Sequence, residues 1–358
     1  MDKIVHFFVN GSGGAIRSAI DLANATRDIY EHIFVFIEKS NDFEFGFKKF
    51  YLTNSRKFYK KLDILGDMIL AYKLKNVLNK INPKIVISHV ESSAKVLRWL
   101  DINKIYYVRA NIIEELKEIK KINKLRYLKR KFLYKKLINK QNVLTISKEI
   151  KDNTIKEFNP KKIECIYTPF NKKHIITKAE KFEVPIDNYI IVPNSSFKIK
   201  RVDIMLKAFS KVKEDIKLLI IGASDKQKEK LLNLATSLNI EDKVIIKPHQ
   251  KNPYPYIKNA KLLVLTSQRE GLPRVLVESL ILKIPVVSTN CPTGPKEVLV
   301  GELSSYLAKV NNVDDIAKKI ELALKYYPPI KDDILIKFDE KEVSKKFFEF
   351  LREVTNKK

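Results

Sequence analysis

Ten short runs rich in Val, Ile and Leu recur along the chain, with room for a helix between most neighbours. This alternation limits the fold more than any other feature. The first five runs are IVHFFV (4–9), IFVFI (33–37), KIVIS (84–88), KIYYV (104–108) and VLTIS (143–147). The second five are YIIVP (189–193), KLLII (217–221), KVIIK (243–247), KLLVL (261–265) and IPVVS (284–288). Such runs, separated by helical segments, read as strands of parallel sheets buried on both faces. Two series predict an α/β chain of two Rossmann-like doubly wound domains, and 358 residues suffice for both. The expected division is an N-terminal domain over 1–170, a linker over 171–187 and a C-terminal domain over 188–339. The linker falls in polar sequence between Pro169 and Asn188 that includes Pro185. The last stretch, EKEVSKKFFEFLREV, carries Val343, Phe347, Phe348 and Leu351 at helical spacing. It predicts an amphipathic helix within 340–358 that packs back on the N-terminal domain.

Ligands of open α/β sheets bind beyond the carboxyl ends of the strands. Two such domains facing each other would enclose a central cleft, so residues that directly follow strands are the candidates for chemistry. The stretch SQREGLPRVLVESLILKIPVVSTN (267–290) is the most informative. KLLVLT before it reads as a strand, SQREG as a loop, and LPRVLVESLILK as a helix with Pro273 in its first turn, where proline is tolerated. Glu270 then stands in the loop and Glu278 about one and a half turns into the helix, its side chain leaning toward the helix start. Two carboxylates so placed would accept hydroxyls of one sugar or ribose. Gly271 permits close backbone approach, and the helix start can receive an anion. The plain alternative is a loop charge and a solvated helix residue.

The pattern E-G-L-P-x-x-x-x-E, followed by a strand and TNCPTGPKEVL, resembles the donor site of glycosyltransferase family 4, whose members have the GT-B architecture and act with retention. GSGGAIRSAIDLA (11–23) resembles that family's N-terminal glycine turn, LTISKEIKDNTIKEF and ECIYTPFN its interdomain region, and KLLIIGASD and KVIIKPH its central C-terminal strands. The resemblance implies that Glu278 holds the ribose of a nucleotide-sugar and that Glu270, Gly271 and Leu272 contact the transferred sugar. Lys200, in FKIKRVDIMLKAF, stands at the family's phosphate-binding lysine. Five residues earlier the family usually has arginine; here the residue is Ser195, with Lys198 as a substitute cation. Thr293 and Gly294 fall in the loop beside the donor sugar, and His249 near the nucleobase. His89 would stand close to the transferred sugar, while Arg109 and Asn111 follow the next strand, on the acceptor side.

Gly13 and Gly14 follow the first strand and open a helix, a place where a diphosphate can approach closely; Arg17 follows one turn later. A tight turn is the simpler account of the glycines. No Asp-x-Asp signature and no His/Cys/Asp cluster with ligand spacing occurs in the sequence, so no metal and no cofactor is expected beyond the donor itself. Cys165 and Cys291 are too few for a disulfide framework. No apolar run reaches the length of a membrane span, and the opening residues read as a strand instead of a signal peptide.

The charge is less ordinary: 69 Lys and Arg against 42 Asp and Glu, net +27. Such an excess attracts polyanions. It is densest over 117–142, where 11 of 26 residues are basic and one is acidic. Ile119, Ile122, Leu125, Leu128, Phe132, Leu133 and Leu137 recur there at helical spacing, which predicts a basic amphipathic helix able to lie on an anionic membrane. These features lead to a cytoplasmic, peripheral enzyme that takes a hexose or N-acetylhexosamine from a nucleotide-sugar, with UDP preferred. The acceptor would be a lipid-linked, lipopolysaccharide or capsular glycan. A nucleotide-sugar epimerase on the same architecture is one alternative. A nucleic-acid-binding protein is another, although the chain carries no recognisable RNA-binding motif and nucleic acid is not an expected partner.

Overall fold

The computed structural model describes residues 1–11, 13–39, 46–193 and 197–355. Contacts divide the chain into two compact units, Met1–Phe170 with Lys337–Lys358, and Asn171–Ile336. Each unit is a parallel sheet with helical crossovers.

The first unit contains β1 (Asp2–Phe8), β2 (Tyr30–Glu38), β3 (Lys48–Thr53), β4 (Ile85–Ser88), β5 (Lys104–Val108), β6 (Asn142–Thr145) and β7 (Lys162–Cys165). They pair in the order β3-β2-β1-β4-β5-β6-β7. The second contains β8 (Tyr189–Pro193), β9 (Lys217–Ile221), β10 (Val244–Lys247), β11 (Leu262–Leu265), β12 (Val286–Thr289) and β13 (Leu307–Ala308). Its order is β10-β9-β8-β11-β12-β13. In both, strand order reverses beside the first strand of the unit, the point where doubly wound sheets take ligands.

The apolar runs form the strands because both faces are covered. In the second unit Ile190, Val192, Leu218, Ile220, Leu262 and Val264 are fully buried against helix residues such as Met205 and Ile320. Burial of each such side chain contributes roughly 1.5–3 kcal/mol. In the first unit the sheet has two apolar layers. Val5, Phe7, Val35 and Val86 pack against Leu70 and Leu74 of the helix Asp63–Ile81. Phe8, Phe34 and Phe36 pack against Ile16, Ala19 and Ala23 of the helix Gly14–Ala25.

Two expectations change, and a third, the C-terminal helix packed on the first unit, holds with one residue of its stripe exposed. The stretch 171–187 is not a bare linker: it contains the helix Lys172–Ala179, whose start is capped by Asn171 Oδ1 accepting from His174 N at 2.8 Å. Ile175 and Ala179 are buried and the helix packs against Arg274–Ile281 inside the second unit. The basic segment is not one helix but two, Ile112–Ile122 and Lys124–Ile138. Asn123 leaves helical geometry at φ −154° and caps the second helix by accepting from Arg126 N at 2.8 Å. That break shifts the phase: Tyr134, Leu137 and Ile138 are buried, whereas Ile122, Leu125, Leu128 and Phe132 are exposed. The C-terminal helix, Glu340–Thr355, buries Val343, Phe347, Phe350 and Leu351 but leaves Phe348 37% exposed. It lies on the helix Gly14–Ala25, with Ser344 Oγ donating to Ala25 O at 2.8 Å.

Candidate functional site

The second unit assembles its charged groups at one corner. β11 ends at Leu265, the chain passes through Thr266–Pro273, and the helix Arg274–Ile281 follows. Thr266 Oγ1 donates to the carbonyls of Lys200 and Arg201 at 2.8 and 3.1 Å, and Gln268 N donates to Ile199 O at 2.8 Å. These bonds tie the loop after β11 to the short helix Phe197–Lys200 beyond β8. Lys200 and Glu270, 70 residues apart, therefore meet: Nζ lies 2.7 Å from Oε1, with side chains 14% and 12% exposed.

Glu278 is 4% exposed. Its Oε1 accepts from Tyr254 OH and from Arg274 Nη2, each at 3.3 Å. A buried carboxylate is costly unless paired and hydrogen-bonded, and both contacts are long. The site thus holds two acids, each matched to a cation, with polar capacity left for a hydroxyl-rich ligand.

Thr293 and Gly294 brace this corner. Thr293 is fully buried and its hydroxyl donates to the Glu270 carbonyl. Gly294 has φ +92°, and a Cβ there would stand 2.6 Å from Pro273 Cδ and 2.9 Å from Gly271 O. Only glycine admits that backbone and that contact. Leu272 is buried and Gly271 half-buried beside them. Cys291 lies near enough to sense Glu270; burial first, then that carboxylate, pushes its thiol up to about 12, so it stays protonated.

Of the other expected donor contacts, one lies apart from this corner within the second unit. His249 is exposed after β10. β10 is three strands from β11 in the sheet order, roughly 14 Å at the usual strand spacing. Ser195 lies outside the described residues, as does the side chain of Lys198. Gly13, Gly14 and Arg17 belong to the first unit. Gly13 has φ +90° and caps the helix Gly14–Ala25, and open space surrounds both glycines where a Cβ would stand. Arg17 is half-buried one turn on.

The first unit arranges His89, Arg109 and Asn111 at the ends of β4 and β5. His89 is 1% exposed, so it sits behind the surface. Arg109 donates to His89 Nδ1 from Nε at 3.2 Å and from Nη2 at 3.0 Å, and its guanidinium lies 3.9 Å above the Tyr107 ring. Asn111 caps the helix Ile112–Ile122 by accepting from Glu114 N at 3.1 Å. The sequence pattern alone does not single out His6 and His32, which continue from His89 into the sheet. Their one signal is a histidine inside each of two buried strands rich in Ile, Val and Phe. Nor does it reveal Tyr254 and Arg274 as partners of Glu278.

Residues 176–337 match the family model described as "Glycosyl transferases group 1". An uncharacterized glycosyltransferase of Methanocaldococcus jannaschii is 28% identical over 257 residues, 65% of this chain and 62% of that relative. A Campylobacter jejuni protein is 29% identical over 205 residues, 56% of each chain. It is named an N-acetylgalactosamine-N,N'-diacetylbacillosaminyl-diphospho-undecaprenol 4-alpha-N-acetylgalactosaminyltransferase. An uncharacterized glycosyltransferase of Haemophilus influenzae is 27% identical over 337 residues, 90% of this chain and 91% of that one. The crystal structure of Anabaena HepE in complex with UDP and glucose superposes with a TM-score of 0.79 at 16% identity, covering 99% of this chain and 100% of that one. The fold is the two-domain GT-B type, and the second unit resembles glycosyl transferases of group 1.

Proposed function

We propose that this protein is a retaining glycosyltransferase that moves a hexose or N-acetylhexosamine from a UDP-sugar to a glycan acceptor carried on a lipid, on lipopolysaccharide or in a capsule. The observation that carries this reading is the corner where Lys200 meets Glu270 and Glu278 lies buried between Tyr254 and Arg274. The family match over 176–337 includes this corner.

In this reading the Lys200–Glu270 ion pair separates when the donor arrives. Lys200 turns to the diphosphate and offsets the negative charge that grows as it leaves. Glu270 is released to a sugar hydroxyl, and Glu278 accepts the ribose hydroxyls. The bond from the anomeric carbon to the phosphate oxygen breaks, and the bond to the acceptor oxygen forms on the same face. The acceptor proton passes to the departing phosphate oxygen, so no protein carboxylate need serve as nucleophile. Activity is expected without a metal ion and hence in chelator.

The name of the C. jejuni relative supports a lipid-diphosphate acceptor and an N-acetylhexosamine, and the HepE complex makes UDP-sugars the first probes. A peripheral position at the inner membrane face is part of the proposal. It is supported by Ile122, Leu125, Leu128 and Phe132, exposed among the lysines of 117–142. No helix among the described residues is long and apolar enough to cross a membrane.

A thermal-shift panel of UDP- and GDP-sugars tests the donor: a true ligand at 100 times its Kd adds about 2.7 kcal/mol. Release of nucleoside diphosphate that requires a lipid-linked glycan and persists in EDTA supports a transferase. Interconversion of UDP-sugars without acceptor would favour an epimerase and end the transferase reading.

A further inference from the structure

Three of the five histidines form one buried hydrogen-bonded chain in the first unit. His89 Nε2 lies 2.8 Å from His6 Nδ1, and His6 Nε2 lies 2.9 Å from His32 Nδ1. His32 Nε2 lies 2.9 Å from Thr26 Oγ1, which donates to Leu22 O at 2.7 Å. The other end is Arg109, with two N–H groups on His89 Nδ1.

The sheet order explains how residues so distant in sequence line up. β2, β1, β4 and β5 are consecutive neighbours. His6 stands opposite Phe34 on β2 and Ile87 on β4. His32 is two residues before Phe34 and His89 two after Ile87, so the three rings run diagonally on one face. That face is the one covered by the helix Gly14–Ala25. The rings are also stacked: His6 on Phe34 at 4.8 Å, and His89 on Phe8 at 4.4 Å.

Only one proton arrangement fits. A guanidinium has no acceptor, so His89 Nδ1 must be bare. Neutral His89 then carries its proton on Nε2 and donates to His6 Nδ1, which forces the proton of His6 onto Nε2. The same step fixes His32, whose Nε2–H donates to Thr26. Each ring accepts on Nδ1, His89 from both Arg109 N–H groups, and donates once from Nε2, and the chain ends on a backbone carbonyl. A second proton on any ring would set two donors facing each other.

We infer that His89, His6 and His32 are positioning residues: a one-way relay of neutral imidazoles that fixes Arg109 at the carboxyl end of β5. Burial holds the rings neutral, lowering His6 and His89 well below the usual histidine range and His32 to about 4. Arg109 cannot accept a proton, so the relay conducts none. What it transmits is tautomer: losing the acceptor at His32 frees His6 to reverse, then His89, which would turn an N–H toward Arg109. That Arg109 meets the acceptor substrate rests on the proposed function; the relay does not.

The test uses the full-length protein with ¹⁵N-labelled histidine and arginine, without any substrate. Nitrogen shifts of His6, His32 and His89 should each show a single Nε2–H tautomer at pH 7, with the exposed His249 as reference. Arg109 Nε–H should exchange slowly with solvent. His32→Phe keeps the ring shape but removes the acceptor; exchange at Arg109 Nε–H should rise at least about tenfold, one net hydrogen bond's worth. His32→Gln offers a carbonyl to His6 and an amide to Thr26, so it should restore slow exchange. Mixed or Nδ1–H tautomers in the wild type, or equal exchange at Arg109 in both variants, would overturn the inference. Neither result bears on whether UDP-sugars bind, so the two proposals fail separately.

Discussion

The two units share a fold plan but use polar residues in opposite ways. In the second, the chemistry-bearing groups lie on the segments that follow β8 and β11 and are paired with one another: Lys200 with Glu270, Glu278 with Tyr254 and Arg274. In the first, they run inward. His89, His6 and His32 lie beneath a helix, and Arg109 alone carries the charge of that chain. A ligand that arrives at the second unit finds cations and anions that can change partners. One that arrives at the first finds an arginine whose geometry is already set. In the proposed reading, exchangeable ion pairs would meet the donor and a preorganised cation would meet the second substrate.

The largest effect is expected at Lys200. Lys200→Ala removes the charge expected at the leaving diphosphate, and kcat should fall roughly 10²- to 10³-fold, as for loss of one preorganised transition-state donor. Steady-state transfer kinetics read it, and an unchanged kcat would remove Lys200 from the mechanism. Gly294→Ala tests the bracing of the corner. The left-handed backbone and the contacts with Pro273 and Gly271 should cost about 3 kcal/mol or more, read as a lower urea midpoint, while a neutral result would deny the brace.

The first unit should answer to pH instead. Its relay histidines are neutral when folded, with pKa values below the ordinary 6.5, and His32 at about 4. As pH falls below 6.5 the unfolded chain takes up protons that the folded rings refuse. Stability is therefore full above 6.5 and declines as pH falls toward 4, by roughly 1.4 kcal/mol per pH unit for each ring. Urea midpoints measured from pH 7 to pH 4.5 should show that slope, and His32→Gln should flatten it by one ring's share. A slope identical in the variant would contradict the buried neutral state. The smallest effect is expected on the surface. Lys129→Ser, in the exposed basic helix, should weaken binding to phosphatidylglycerol vesicles about fivefold, near 1 kcal/mol. Equal binding in vesicle sedimentation would count against membrane contact through 117–142.

Much of this architecture is legible in the residue pattern alone. The strands within the ten apolar runs are mostly central strands, and burial on two faces writes a continuous apolar signature. The strands that the pattern hides are β3, β7 and β13, at sheet edges. β3, KKFYLT, buries only Leu52, so its pattern shows neither alternation nor a continuous run. The loop and helix that carry Glu270 and Glu278 are legible because the pattern is local. The pairing of Glu270 with Lys200 is not, since 70 residues and a loop tied by Thr266 separate them. The same limit hides the histidine relay: His6, His32 and His89 meet only through strand order and register. The basic segment shows the converse error. A regular apolar spacing suggests one helix, and a single asparagine cap divides it and turns much of the stripe to solvent.

The central claim is that the corner formed by Lys200, Glu270 and Glu278 binds a nucleotide-sugar, and calorimetric titration of UDP-sugars into the wild type and Glu278→Ala tests it most directly. At least one UDP-sugar should bind the wild type saturably, weakened at least about tenfold in the variant by loss of a charge-assisted hydrogen bond to the ribose. Binding of equal strength in both proteins, with the variant folded, would contradict it.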